Sequence, residues 1–200
     1  MERKELFFKL LNDEFSKYGF KYIKSKNRFT KKENGNEFII EYDTWSYFFS
    51  VETHLEILIG EIEKIKKNAW GKSYNKFVTV GNSKSGLKKG LIEKTDTEEK
   101  VIEVVKNEIV FYHSFAKEYF KQHIDYIYLD KILNTNPGEI YDLAYNPIHT
   151  SFLAIIVAKL IKNEKIDELI IYYRKEILRV NNNFIEKYDL LVEYLKQMKI

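Results

Sequence analysis

Glu52, His54 and Glu56 recur at every second position of one stretch of the chain. Residues two apart on a β-strand share a face. The spacing therefore sets an imidazole between two carboxylates, which is the make-up of a carboxylate-tuned base or a weak metal site. Polar residues alternating along a solvated strand look the same, so catalysis there requires these side chains to line a pocket. A second concentration lies between Lys64 and Ile92, which holds eight lysines and no acidic residue. Lys64, Lys66, Lys67, Lys72, Lys76, Lys84, Lys88 and Lys89 supply the charge, and Trp70, Tyr74 and Phe77 are interleaved with them. Ammonium groups for phosphates and rings for stacking suit a single-stranded nucleic acid or a polyphosphate. The same mixture suits an acidic protein surface, and the rings would serve equally to close a sheet.

Other chemistry has less support. The four histidines, at 54, 113, 123 and 149, stand in no recognised ligand spacing, and the chain has no cysteine. Disulfides, thiolate metal sites and a cysteine nucleophile are thereby excluded. No G-x-x-x-x-G-K-[ST] or G-x-S-x-G motif occurs, and Gly81, Gly86 and Gly90 lack the strand–turn–helix setting of a dinucleotide site. The reading leans away from an enzyme, and no metal or cofactor is expected. His113 and His123 flank a helix rich in rings, where packing is expected, and His149 falls near a helix start.

The elements that would position these residues follow from periodicity. Leu6, Phe7, Leu10, Leu11, Phe15 and Tyr18 recur at helical spacing, and Gly19 is a natural stop. Extended runs follow at 20–24, 28–33, 37–42 and 47–59, with Asn34-Gly35 as a two-residue hairpin signal between the second and third. In the fourth run, Tyr47, Phe49, Val51, Thr53, Leu55, Ile57 and Ile59 fall on one face, and Ser50, Glu52, His54 and Glu56 on the other. A short helix over 61–68 and a brief strand over 77–80 are expected next. Thr95 or Thr97 then caps a helix whose first turn is acidic. From there the pattern is helical throughout, at about 97–122, 125–134, 138–144, 149–163, 165–180 and 183–198. The fold class is α+β: an N-terminal helix on an antiparallel sheet, then an all-helical C-terminal half. The composition shift near residue 94 suggests two regions, 1–94 and 95–200, packed as one unit.

With 44% hydrophobic and 32% charged residues, the composition is globular. The longest apolar run, Phe152 to Ala158, is stopped by Lys159, far short of the roughly 20 residues that cross a bilayer. Charges among the first apolar residues leave no room for a secretion signal, and with the absence of cysteine they lead to the expectation of a cytoplasmic protein. The wealth of Lys, Ile, Asn and Tyr also fits an AT-rich genome, in which case the basic run is a solvated surface without a ligand.

The opening helix, the Tyr18-Gly19-Phe20-Lys21 phrase, the hairpin at Asn34-Gly35, the long strand and the Thr79-Val80-Gly81-Asn82 phrase resemble a bacterial family of uncharacterised α+β domains, over about residues 1–125. The resemblance implies a helix, a "GFK" step, an antiparallel sheet and closing helices, and it carries no catalytic residues. Small α+β proteins of this kind are also similar to immunity proteins of toxin systems and to phage-defence proteins. That analogy implies a non-enzymatic protein that binds a protein partner, with the basic segment suited to an acidic face; nucleic-acid binding through 64–92 and a hydrolase built on the outer sheet face are the alternatives.

Overall fold

The computed structural model describes residues 2–45, 50–75, 79–83, 93–94, 97–137 and 146–199. The first helix, α1 (Arg3–Phe15), buries Phe7, Phe8, Leu11 and Phe15. A 3-10 turn extends it to Tyr18, and Gly19 ends it at φ 85°, where an L side chain would be strained. Strands β1 (Lys21–Ile23), β2 (Arg28–Glu33), β3 (Asn36–Trp45) and β4 (Ser50–Leu58) follow. The β2–β3 turn has positive φ at both Asn34 and Gly35, the conformation that matches strand twist in a two-residue hairpin. It fixes the register Arg28↔Glu41, Phe29↔Ile40 and Thr30↔Ile39. A slip of one residue would exchange the two faces of the sheet.

The sheet runs β1-β2-β3-β4-β5, with β5 at Val80–Ser83 and the two-residue β6 (Glu93–Lys94) pairing antiparallel with β4. Of the strand expected near 77–80, residues 77 and 78 lie outside the described part, and Val80 opens β5. Helix α3 (Glu98–Phe111) comes after α2 (Gly60–Trp70) in chain order and is capped by Thr97, whose hydroxyl accepts from the Lys100 N–H at 3.2 Å. A single π turn, Tyr112–Ala116, joins it to α4 (Lys117–Gln122), so the helix expected over 97–122 has one wide turn in it. From α3 onward every described helix or strand is helical, and the chain is an α+β protein.

Two compact units form: 1–57 with 81–121, and 58–80 with 122–200. The change of composition near residue 94 is not where the packing divides. Helix α2 belongs with the C-terminal helices, while α3 and α4 belong with the sheet. In the sheet unit, rings from α1 meet rings of the sheet edge to face: Phe7 and Tyr42 have centroids 5.2 Å apart at 84°, and Phe15 and Phe29 are 5.1 Å apart at 86°. Glu108 of α3 is buried there, accepting from Thr53 Oγ1 at 2.8 Å and Tyr42 OH at 3.4 Å. Burial first, and then the Glu108 carboxylate, keep the Tyr42 hydroxyl protonated.

The second unit is built around α6 (Pro147–Leu160), which follows α5 (Tyr126–Asn134) and precedes α7 (Ile166–Val180) and α8 (Ile185–Gln197). The helix expected at 138–144 lies outside the described residues. Helix α6 opens with Asn146 as cap and Pro147 in its first turn, and Ser151 to Ala158 are all buried. The apolar run noted in the sequence is thus a helix enclosed on every side. Tyr173 donates to the Leu133 carbonyl at 2.7 Å, and Asn134 donates to the Ala154 carbonyl at 3.0 Å, which satisfies the polar groups where α5, α6 and α7 meet.

Candidate functional site on the outer sheet face

Period-two geometry and the β2–β3 register put Arg28, Glu41, Asp43, Glu52, His54 and Glu56 on one face of the sheet, opposite the face on which α1 packs. The burial of Val51, Thr53, Leu55 and Ile57, against partial exposure of Glu52, His54 and Glu56, bears out the alternation read along β4 between 51 and 57; Ser50 and Leu58 depart, both being buried, and Tyr47 and Phe49 lie outside the described residues. His54 Nε2 lies 3.0 Å from Asp43 Oδ2, and Arg28 Nη1 donates to Glu41 Oε2 at 3.3 Å. The Arg28 Nε–H is buried and makes no hydrogen bond among the described residues.

The three residues singled out from spacing are therefore joined by two acids from the neighbouring strand. Glu56 responds to them: burial first, then repulsion from Glu41 and Asp43, lifts its carboxyl from the ordinary 4.5 to about 7, with Arg28 offsetting part of the rise. A carboxyl poised there can hold or release a proton near neutrality, and a cation brought to it would favour the ionised form. Among the described residues no three His, Cys, Asp or Glu side chains are grouped to hold a metal. Asp43 and Glu41 were within reach of sequence reasoning, because they alternate on the strand paired through Asn34-Gly35.

The basic segment is divided. Lys64, Lys67 and Lys72 are exposed, whereas Lys66 and Trp70 are buried and Tyr74 is half-buried. Lys66 Nζ donates to Glu63 Oε1 at 2.8 Å, Thr79 Oγ1 to the same oxygen at 2.9 Å, and Tyr74 OH to Glu63 Oε2 at 2.7 Å. Burial and this hydrogen bond raise the Tyr74 hydroxyl. Trp70 Nε1 donates to the Lys187 carbonyl at 2.9 Å, and its ring meets Phe152 edge to face at 5.1 Å. Nearby, burial and then the Lys66 charge lower His149. Three of the expected binding residues thus serve the interior of their own unit; Glu63, which accepts from Lys66 and Tyr74, lies three residues before Lys66, a spacing that brings side chains together on a helix. Lys76, Lys84, Lys88 and Lys89 lie outside the described residues.

Comparisons with protein-family models, with curated proteins and with solved structures find no match to this chain. Among the described residues no helix is long and apolar enough to cross a membrane.

Proposed function

We propose that this chain is a non-enzymatic binding protein, of the immunity or phage-defence kind, that docks the outer face of its sheet on a cationic surface of a protein partner. The observation that carries the reading is the burial of Glu56 together with its crowding by Glu41 and Asp43, which leaves a carboxyl raised to about 7 on a part-exposed face. A lysine or arginine placed there would relieve the repulsion, so the free protein stores part of what binding recovers. The polarity is the reverse of what the basic segment alone suggests: this face suits a basic partner. Nucleic-acid binding through 64–92 is less well supported, because Trp70, only 5% exposed, offers no open ring for a base. The hydrolase reading finds its support in Glu56 and the His54–Asp43 pair, but it also needs a cleft around them.

The test is capture of a partner by the tagged chain from its own host, with and without nuclease, followed by affinity measurement on the purified pair. The expected result is one stoichiometric protein that survives nuclease and binds at least about tenfold more weakly to an E41Q/D43N/E52Q variant. Its affinity should also fall as the pH drops from 8 to 6, because Glu56 is then protonated before a cation arrives. Retention of nucleic acid alone, or binding indifferent to the three substitutions, would refute the reading.

A further inference from the structure

Glu5, Lys9 and Asn12 recur at helical spacing on α1, and with Glu2, Lys4 and Phe8 they form one wall of a cleft of about 640 Å³. The facing wall is Tyr22 of β1 with Lys24 and Asn27, which bound the 3-10 turn that follows. The volume lies within the roughly 300–1,000 Å³ of small-molecule sites. All of these residues belong to the sheet unit, on the face opposite Glu56, so the cleft is independent of the docking face.

The lining is mixed in a particular way. Phe8 and Tyr22 stack, with centroids 5.0 Å apart and planes at 21°, and Tyr22 lies on the edge strand of the sheet. Asn27 is fixed in a left-handed conformation, φ 47°, by its N–H to the Lys24 carbonyl at 3.3 Å and by its carbonyl, which accepts from the Tyr42 N–H at 3.0 Å. No ion pair or side-chain hydrogen bond engages Lys9, Asn12, Lys24 or Asn27 among the described residues. The ammonium groups of Lys9 and Lys24 and the carboxamides of Asn12 and Asn27 are thus uncommitted around one cavity, beside a part-exposed Tyr22 whose ring is held by Phe8 and Phe29.

We infer that this cleft binds a nucleoside monophosphate. The flat base packs on the part-exposed Tyr22 ring, which the buried Phe8 backs, Asn12 and Asn27 offer both donors and acceptors to its edge, and Lys9 and Lys24 hold the phosphate. Glu5, in the same wall, accepts from ribose hydroxyls and disfavours a ligand that is anionic throughout, such as polyphosphate or an acidic peptide.

The test is a titration of the ¹⁵N-labelled full chain with AMP, GMP, CMP and UMP, with adenosine and ribose 5-phosphate as half-ligands. At least one nucleotide should give saturable shifts confined to residues 4–12 and 22–27, and both half-ligands should bind about tenfold more weakly or worse. K9A/K24A, two exposed positions whose loss leaves the core intact, should weaken the nucleotide by at least about tenfold. Absence of saturable shifts with all four nucleotides at millimolar concentration, shifts centred elsewhere, or affinity unchanged in K9A/K24A would overturn the inference.

Discussion

Substituting Glu56 by Gln should stabilise the protein, and only above about pH 5. A carboxyl raised from 4.5 to about 7 is held more tightly as the neutral acid in the folded chain than in the unfolded one. Its contribution is therefore fully present below pH 4.5 and is lost as the pH rises through about 7, since over that interval the unfolded chain has released the proton and the folded chain has not. At about 1.4 kcal/mol per pH unit, the loss amounts to about 3 kcal/mol, an upper value because the group is part-exposed and screened by solvent. Gln keeps the shape of the neutral acid and cannot ionise. Urea unfolding followed by circular dichroism at pH 4.5, 6, 7 and 8 should find the two proteins within about 0.5 kcal/mol at the lowest pH and E56Q more stable by about 2–3 kcal/mol at pH 8. The carboxyls that both proteins share cancel in this difference. A stability difference that does not change with pH would refute the account of Glu56 crowded by Glu41 and Asp43.

Glu63→Ala should cost about 3–5 kcal/mol in the same assay, because it leaves the buried Lys66 ammonium without its partner; E63L/K66M, which removes both charges, should cost much less than the two single changes together. Gly35→Ala should cost about 1–2 kcal/mol from backbone strain alone, since no atom lies within 4 Å of an added Cβ, and Gly35→Asn should recover part of it. Thr97→Ala should cost about 1 kcal/mol with the loss of the cap to the Lys100 N–H, read as a lower urea midpoint at unchanged slope.

Local chemistry made much of the fold legible. Gly19 could be read as a helix end, and Asn34-Gly35 as a hairpin, because each signal acts within a turn or two of backbone. Thr97 with Glu98 and Glu99, and Asn146 with Pro147, likewise mark helix starts through groups that reach only two or three residues along the chain. The alternation from Val51 to Ile57 was enough to assign inner and outer faces, and so to put Glu52, His54 and Glu56 side by side. It was not enough to show what Glu56 would meet, since Glu41 and Asp43 reach it only across the sheet.

The basic segment shows the same boundary from the other side. Its charge and its rings were plain in the sequence, yet Lys66, Trp70 and Tyr74 turned inward because Glu63 and Lys187 offered them partners, the last from 117 residues away. Helix α2 joined the C-terminal helices in spite of the composition shift at residue 94, because burying Ile62, Ile65 and Trp70 requires an apolar surface that only those helices provide in its unit. Sequence by itself determined where elements begin and end and which face of each is apolar, since those follow from backbone geometry and near neighbours. Tertiary structure alone decided which charges are crowded, which are neutralised and which surround the cleft, because an electrostatic environment is set by groups brought together through space.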